Sequence, residues 1–343
     1  MNKYLIIAPS WVGDMVMSQS LYRLIKSHDP KCIIDVLAPA HCAELAHFMP
    51  EINEAIISDF KHGQFSLTQR KALGKSLKSK GYTHGIVLPN SWKSALVPFF
   101  AGIKKRIGWK GEARYFLLND IRMLDKKRYQ LMIERFCALA LPKRAKLPKQ
   151  LPWPKFQLRG DLTIHQRFAL DLDRQYIAIC PGAEFGPAKK WPAHYYAEIA
   201  RYLIDKGYAI LLLGGTKDHE CCDEIKQHFT DEPIYNFAGR TRIDEAVQLI
   251  SICDHVFSND SGLMHIACAL DIPATIIYGS SSDKFTPPLS HNADSVYLDD
   301  LPCRPCFKRQ CPLGHTNCLN QLTPNIIISS FENRRQKHKS FKS

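Results

Sequence analysis

The chain has 343 residues, 45% of them hydrophobic and 23% charged, with a net charge of +13. That is room for two α/β domains of ordinary soluble composition, and no apolar run approaches the ~20 residues of a membrane span. The apolar start, Lys3-Tyr4-Leu5-Ile6-Ile7-Ala8, is too short for a signal-peptide core, so the expected location is the cytoplasm, with the twelve cysteines kept as thiols.

Tyr4–Ala8 predicts a first strand and Met15–Ser27 a first helix. Between them runs Ser10-Trp11-Val12-Gly13-Asp14, a loop without the G-x-G-x-x-G of dinucleotide sites. Asp14 either caps the helix or acts as a carboxylate general base. A helix start lowers a carboxyl pKa and weakens the base, which is tolerable when the substrate hydroxyl loses its proton late.

Further strands are predicted at Ile33–Leu37 and Gly85–Leu88, and helices at Leu67–Lys80 and Tyr129–Leu141. Residues 104–159 hold sixteen Lys/Arg against four Asp/Glu, a surplus of +12. Such a stretch is a solvated face or attracts an anionic partner. No aromatic interleaving points to nucleic acid, so an anionic glycolipid or membrane surface is the expected partner. The Pro- and Lys-rich run Leu141–Pro154 is the expected linker.

Strands at Tyr176–Ile179, Ala209–Leu213, His255–Ser258 and Ala274–Tyr278 alternate with helices at Tyr195–Lys206, Asp218–Phe229 and Asp244–Ile252. Strand–helix alternation in both halves means βαβ units, parallel sheets and the α/β class. The boundaries expected are 1–155, 156–325 and a C-terminal helix end with basic tail, 326–343. In such sheets ligands lie beyond the carboxyl ends of the strands. The loops that follow strands are therefore the candidates for one shared site in a cleft between halves.

Four of those loops carry chemistry. Ser258-Asn259-Asp260-Ser261-Gly262 leads into an apolar helix, Leu263–Leu270. Asp260 and Ser261 suit an N-cap, Gly262 admits close backbone approach, and the free N–H groups of a helix start hold phosphate. His265, one turn on, is either a structural group or part of that site. Pro181-Gly182-Ala183 through Lys189-Lys190-Trp191-Pro192 follows another strand; one of its lysines is placed to offset charge on a departing diphosphate, the alternative being a surface pair. Gly214-Gly215-Thr216-Lys217-Asp218-His219-Glu220 is either a tight turn or a source of a carboxylate, Asp218 or Glu220, for a ribose hydroxyl. Cys303, Cys306, Cys311 and Cys318, near His315, have the spacing C-x2-C-x4-C-x6-C. They could hold a structural zinc or an iron–sulfur cluster, or be packing thiols or a redox pair.

Ser10–Asp14, Pro181–Pro192, Asn259–His265 and the segment ending in Cys311-Pro312-Leu313-Gly314-His315, in this order, resemble glycosyltransferase family 9, the bacterial heptosyltransferases. The second and fourth segments look most like the members that add the second heptose of the lipopolysaccharide inner core. The resemblance implies a GT-B architecture of two Rossmann-like domains with the active site between them. It implies inverting transfer of L-glycero-D-manno-heptose from ADP-heptose without a catalytic metal or cofactor. Residue by residue, Asp14 matches the proposed base and Lys189 the diphosphate-facing lysine. Pro181, Gly182, Ala183, Asp260, Ser261, Gly262 and His265 match the donor site, with Asp218 on the ribose. Ser10, Trp11 and Gly13 fall on the acceptor side. The acceptor implied is an anionic Kdo-lipid A core, which suits the +12 segment and an enzyme peripheral on the inner face of the inner membrane. Alternatives are members adding the first or third heptose, a nucleotide-sugar epimerase on the same architecture, or a non-enzymatic anion-binding protein.

Overall fold

The computed structural model describes residues 1–60, 64–160, 163–171 and 173–340, the side chains of 337–340 excepted. The chain divides into two compact units, Met1–Arg159 and Gly160–Ser343. Each is built on a six-stranded, all-parallel sheet.

The strands of the first unit are β1 (Lys3–Ile7), β2 (Ile33–Ala38), β3 (Glu54–Ile57), β4 (His84–Val87), β5 (Lys105–Trp109) and β6 (Asp120–Arg122). They lie in the order β3-β2-β1-β4-β5-β6. The apolar runs became central strands because both sheet faces are covered, and Leu5, Ile6, Ile34, Val36, Ile86 and Val87 are fully buried. Helix Val12–His28 leaves the carboxyl end of β1, with Asp14 in its first turn and Lys26 and His28 in its last, in the sense the helix dipole favours. Its buried Gln19 exchanges hydrogen bonds with the backbone of Lys155, at 2.8 Å each way, and also donates to Glu51. Gln157 donates its amide to Phe48 carbonyl, and Phe156 stacks on Phe48. The residues just after the expected linker are thus packed on the first unit, and the division falls at Arg159/Gly160.

The second unit holds β7 (Tyr176–Cys180), β8 (Ala209–Leu212), β9 (Ile234–Asn236), β10 (Cys253–Asn259), β11 (Ala274–Ile277) and β12 (Ala293–Val296). Their order is β12-β11-β10-β7-β8-β9. β7 is buried at every residue. The core packs Ile177, Ile179, Leu212 and Phe257 of the strands against Trp191, Tyr196, Ile199 and Phe331 of the flanking elements. The order in which strands are added reverses between β1 and β4 in one unit and between β7 and β10 in the other, which opens a crevice at the carboxyl ends of those parallel strands.

The C-terminal helix spans Pro324–Ser340. Its Arg334 pairs with Asp294 and its Arg335 with Glu332 at 3.7 Å, so these two basic residues are engaged within the fold. The side chains of Lys337 and Lys339, and Lys342 altogether, lie outside the described residues.

Candidate active site

In the second unit the loops after β7 and β10 meet at the switch point. Asn259, the last residue of β10 and fully buried, joins them. Its Nδ2 donates to the Pro181 carbonyl at 2.6 Å, while its Oδ1 accepts from Trp191 N–H at 3.2 Å and from Tyr196 hydroxyl at 2.9 Å. Trp191 is itself buried, its indole N–H donating to the Leu322 carbonyl at 2.8 Å. Both ends of the lysine-bearing loop are therefore held.

Between those ends Lys189 closes a single 3-10 turn, Pro187–Lys189, and reaches across to β10. Its Nζ lies 2.5 Å from Asp260 Oδ2 and 5.1 Å from the centre of the Phe185 ring. The pair is largely withdrawn from water, with side-chain exposures of 16% for Lys189 and 4% for Asp260. Beyond Asp260, Ser261 precedes helix Gly262–Ala269 in an extended conformation and makes no side-chain cap, so the first-turn N–H groups keep their capacity to bind an anion. His265 lies inside this helix, buried. Burial pushes its pKa down to about 4, Asp260 opposing and Lys189 adding to the fall, so the ring is neutral at pH 7.

The loop after β8 enters from the other side of β7. Asp218 accepts from Lys190 Nζ at 3.2 Å and from Gly215 N–H at 3.1 Å. Its carboxylate occupies the space a Cβ on Gly182 would need, which gives that glycine a steric reason. Lys189 and Lys190, adjacent in sequence, thus serve two different carboxylates on two different loops.

The cysteine segment braces the Lys189 turn from behind. The Arg309 carbonyl accepts from Ala188 N–H at 3.1 Å, and Phe307 N–H donates to the Ser280 carbonyl at 2.8 Å. Gly186, at φ +151°, presses so closely on Arg309 that a Cβ there would sit 2.6 Å from its carbonyl oxygen. Arg304 donates to the carbonyls of Gly279 and Ser281 at 2.9 and 3.2 Å. Cys303, Cys306, Cys311 and Cys318 line, with His315, a cavity of about 20 Å³. Among the described residues no group of three or more His, Cys, Asp or Glu is placed to hold a metal ion.

In the first unit, Asp14 is half-buried in the first turn of helix Val12–His28, after exposed Ser10 and Trp11. The Ser10 carbonyl accepts from the His41 ring at 2.9 Å. Cys42 lies close by, its pKa pushed up to about 12 by burial and, secondarily, by the charge of Asp14. Asp14 and Gly13 thus occupy the carboxyl end of β1, at this sheet's own switch point.

Two residues whose role is not apparent from the sequence organise these loops. Asn259 reads in sequence as a turn residue, and only the pairing of β10 with β7 reveals it as the hub. Arg114, fully buried, donates to the carbonyls of Pro89, Ser91 and Trp109 and so ties the loop after β4 to the loop after β5. One arginine inside a +12 stretch gives no signal that it is an internal clamp.

A doubly wound sheet with a buried cation–carboxylate pair, an uncapped helix start and a second carboxylate around its switch point is laid out to hold a nucleoside diphosphate. Residues 70–317 match glycosyltransferase family 9 (heptosyltransferase), and the chain belongs to that family. It is 52% identical over 337 residues to lipopolysaccharide heptosyltransferase 2 of Escherichia coli, covering 95% of this chain and 96% of that one. Identity to lipooligosaccharide heptosyltransferase 2 of Haemophilus influenzae is 45%, covering 94% and 96%. The solved structure of E. coli ADP-heptose LPS heptosyltransferase II superposes with a TM-score of 0.89 at 45% identity, covering 98% and 99%. The protein is a glycosyltransferase of the α/β, GT-B type.

Proposed function

We propose that this enzyme transfers L-glycero-D-manno-heptose from ADP-heptose to the first heptose of the lipopolysaccharide inner core, with inversion. The observation that carries the reading is the buried Lys189–Asp260 pair beside the start of helix Gly262–Ala269. A diphosphate arriving there competes with Asp260 for the ammonium and accepts hydrogen bonds from the helix start. The cation is then already in place where negative charge grows as ADP departs, and such preorganisation lowers the barrier. His265, neutral, adds no charge of its own. Asp218, fixed by Gly215 and Lys190, has an oxygen to accept from a ribose hydroxyl, and Pro181, Gly182 and Ala183 offer close backbone approach.

Asp14 accepts the proton of the attacking hydroxyl, and Ser10, Trp11 and Gly13 contact the acceptor sugar. Inversion follows from attack on the anomeric carbon opposite the departing diphosphate. The similarity to an ADP-heptose LPS heptosyltransferase II and to lipopolysaccharide and lipooligosaccharide heptosyltransferases 2 supports both the donor and the setting. The acceptor, a Kdo-lipid A core, is anionic and suits the +12 segment of the first unit, and the enzyme acts at the inner face of the inner membrane. No helix among the described residues is long and apolar enough to cross a membrane, so attachment would be peripheral. The segment that carries the four cysteines has a structural part, bracing the Lys189 turn through the backbone of Arg309. Incubation of the purified protein with ADP-heptose, with and without core acceptor, tests the reaction. Transfer requires ADP release only when both are present; turnover of the sugar nucleotide alone belongs to an epimerase and refutes it.

A further inference from the structure

Turn tips are ordinarily Gly, Asn, Asp, Pro or Ser. The turn between β5 and β6 instead presents Tyr115 and Phe116, which are 55% and 91% exposed. It closes through the amides of Leu117 and Leu118, each 3.1 Å from the Arg114 carbonyl. On one side Arg114 anchors it through the carbonyl contacts already described, and through Ser94 Oγ at 3.1 Å. On the other side Leu117 and Leu118 are buried in the sheet's core. The tip is therefore held outward by fixed neighbours, and the exposure of Phe116 is part of the fold.

Basic residues surround it. Lys110 Nζ lies 5.8 Å from the Tyr115 ring. The Lys110 amide donates to the Arg122 carbonyl at 2.8 Å, which brings Met123, 71% exposed, alongside. Lys126 and Lys127 follow at once and are exposed. Nearby acids are engaged: Glu112 accepts from Trp92 N–H and Asp125 from the amides of Lys127 and Arg128. Exposed aromatic side chains on an anchored turn, with lysines nearby, fit the interface of an anionic bilayer, where rings enter the headgroup layer and ammonium groups meet phosphate.

We propose that the Tyr115-Phe116 turn, with Met123 and the lysines beside it, docks this protein onto an anionic lipid surface. A protein partner would use the apolar tip with no need for the exposed lysines beside it, Lys110, Lys126 and Lys127. The proposal rests on the function above only in that a lipid-borne acceptor gives docking a purpose.

The test is co-sedimentation of the full chain with vesicles of phosphatidylethanolamine and phosphatidylglycerol, or of phosphatidylcholine alone, with neither donor nor acceptor present. The unmodified protein should bind the anionic vesicles selectively and lose binding as salt rises. Phe116→Ala should weaken binding about tenfold. Lys126→Gln and Lys127→Gln should each weaken it roughly fivefold. Phe116→Trp should keep binding and bring extra fluorescence that brominated lipid quenches. Phe116→Ala should also keep transfer to a soluble, deacylated core acceptor within about twofold, because the tip meets the bilayer and not the sugar. Equal binding of Phe116→Ala and the unmodified protein, or no preference for anionic vesicles, overturns the proposal. A failed transfer assay overturns the proposed reaction and leaves the vesicle result standing.

Discussion

Replacing Lys189 by Met removes the cation and keeps most of the side chain's length. It leaves the Asp260 carboxylate, 4% exposed, without the ammonium that sits 2.5 Å away. Losing one partner of a buried pair costs about 3–5 kcal/mol, and the neighbouring helix start returns about 0.5–1 kcal/mol to the remaining anion. A net loss of roughly 2–4 kcal/mol lowers Tm by about 4–16 °C in a unit of this size. Adding Asp260→Asn removes the orphaned charge and should restore most of that stability. Catalysis should respond differently. A cation withdrawn from a departing diphosphate costs ~10²–10³ in kcat, the scale of one preorganised electrostatic contact. The assay is steady-state ADP release at saturating donor, at a temperature where calorimetry shows the variant folded. Turnover of Lys189→Met within about threefold of the unmodified enzyme, alongside the predicted fall in Tm, would reduce Lys189 to a structural counter-ion for Asp260 and refute the reasoning.

Asp14→Ala should lose at least ~10² in turnover with donor affinity little changed, measured by ADP titration calorimetry beside the rate assay; near-normal transfer removes Asp14 from its role. Neutralising lysines within 104–159 should raise KM for the charged acceptor and flatten its dependence on salt, and an unchanged salt profile would make the segment a solvated face only. Burial holds the pKa of His255 near 3 and that of His265 near 4, against 6.5 for an ordinary histidine. The unfolded chain therefore takes up protons near pH 6.5 that the folded chain refuses until about pH 4 or below. Stability should be flat above pH 7 and fall through that window by up to ~1.4 kcal/mol per pH unit for each ring. Denaturant midpoints from pH 8 to pH 4.5 check this, and His255→Gln should reduce the slope; an unaltered slope contradicts the assignment.

The strands legible in the sequence were those covered on both faces. β1, β2, β4, β7, β8, β10 and β11 read as largely apolar runs because both faces are covered, and the polar Asp35 of β2 is buried with Tyr82 and Asn53 donating to it. The edge strands lacked that pattern. β3 has no buried residue and β12 has one in four, so each exists through the register of its neighbour. β5, written Lys-Arg-Ile-Gly-Trp, looks like a charged loop until its pairing with β4 is known. The site showed the same division. Loop positions after strands were readable from residue types, and Lys189 and Asp260 do meet in the second unit, next to Ser261 at the helix start. Asn259, Arg114 and the bracing by Cys303–Cys318 were not, because each acts through backbone groups distant in sequence.

The most direct measurement offers the purified enzyme a ladder of Kdo-lipid A cores bearing no heptose, one heptose or two, with ADP-heptose as donor and mass spectrometry of the product. One heptose should be added to the singly heptosylated core and essentially none to the core without heptose. Transfer to the heptose-free core, or consumption of ADP-heptose with every acceptor left unchanged, would contradict the account.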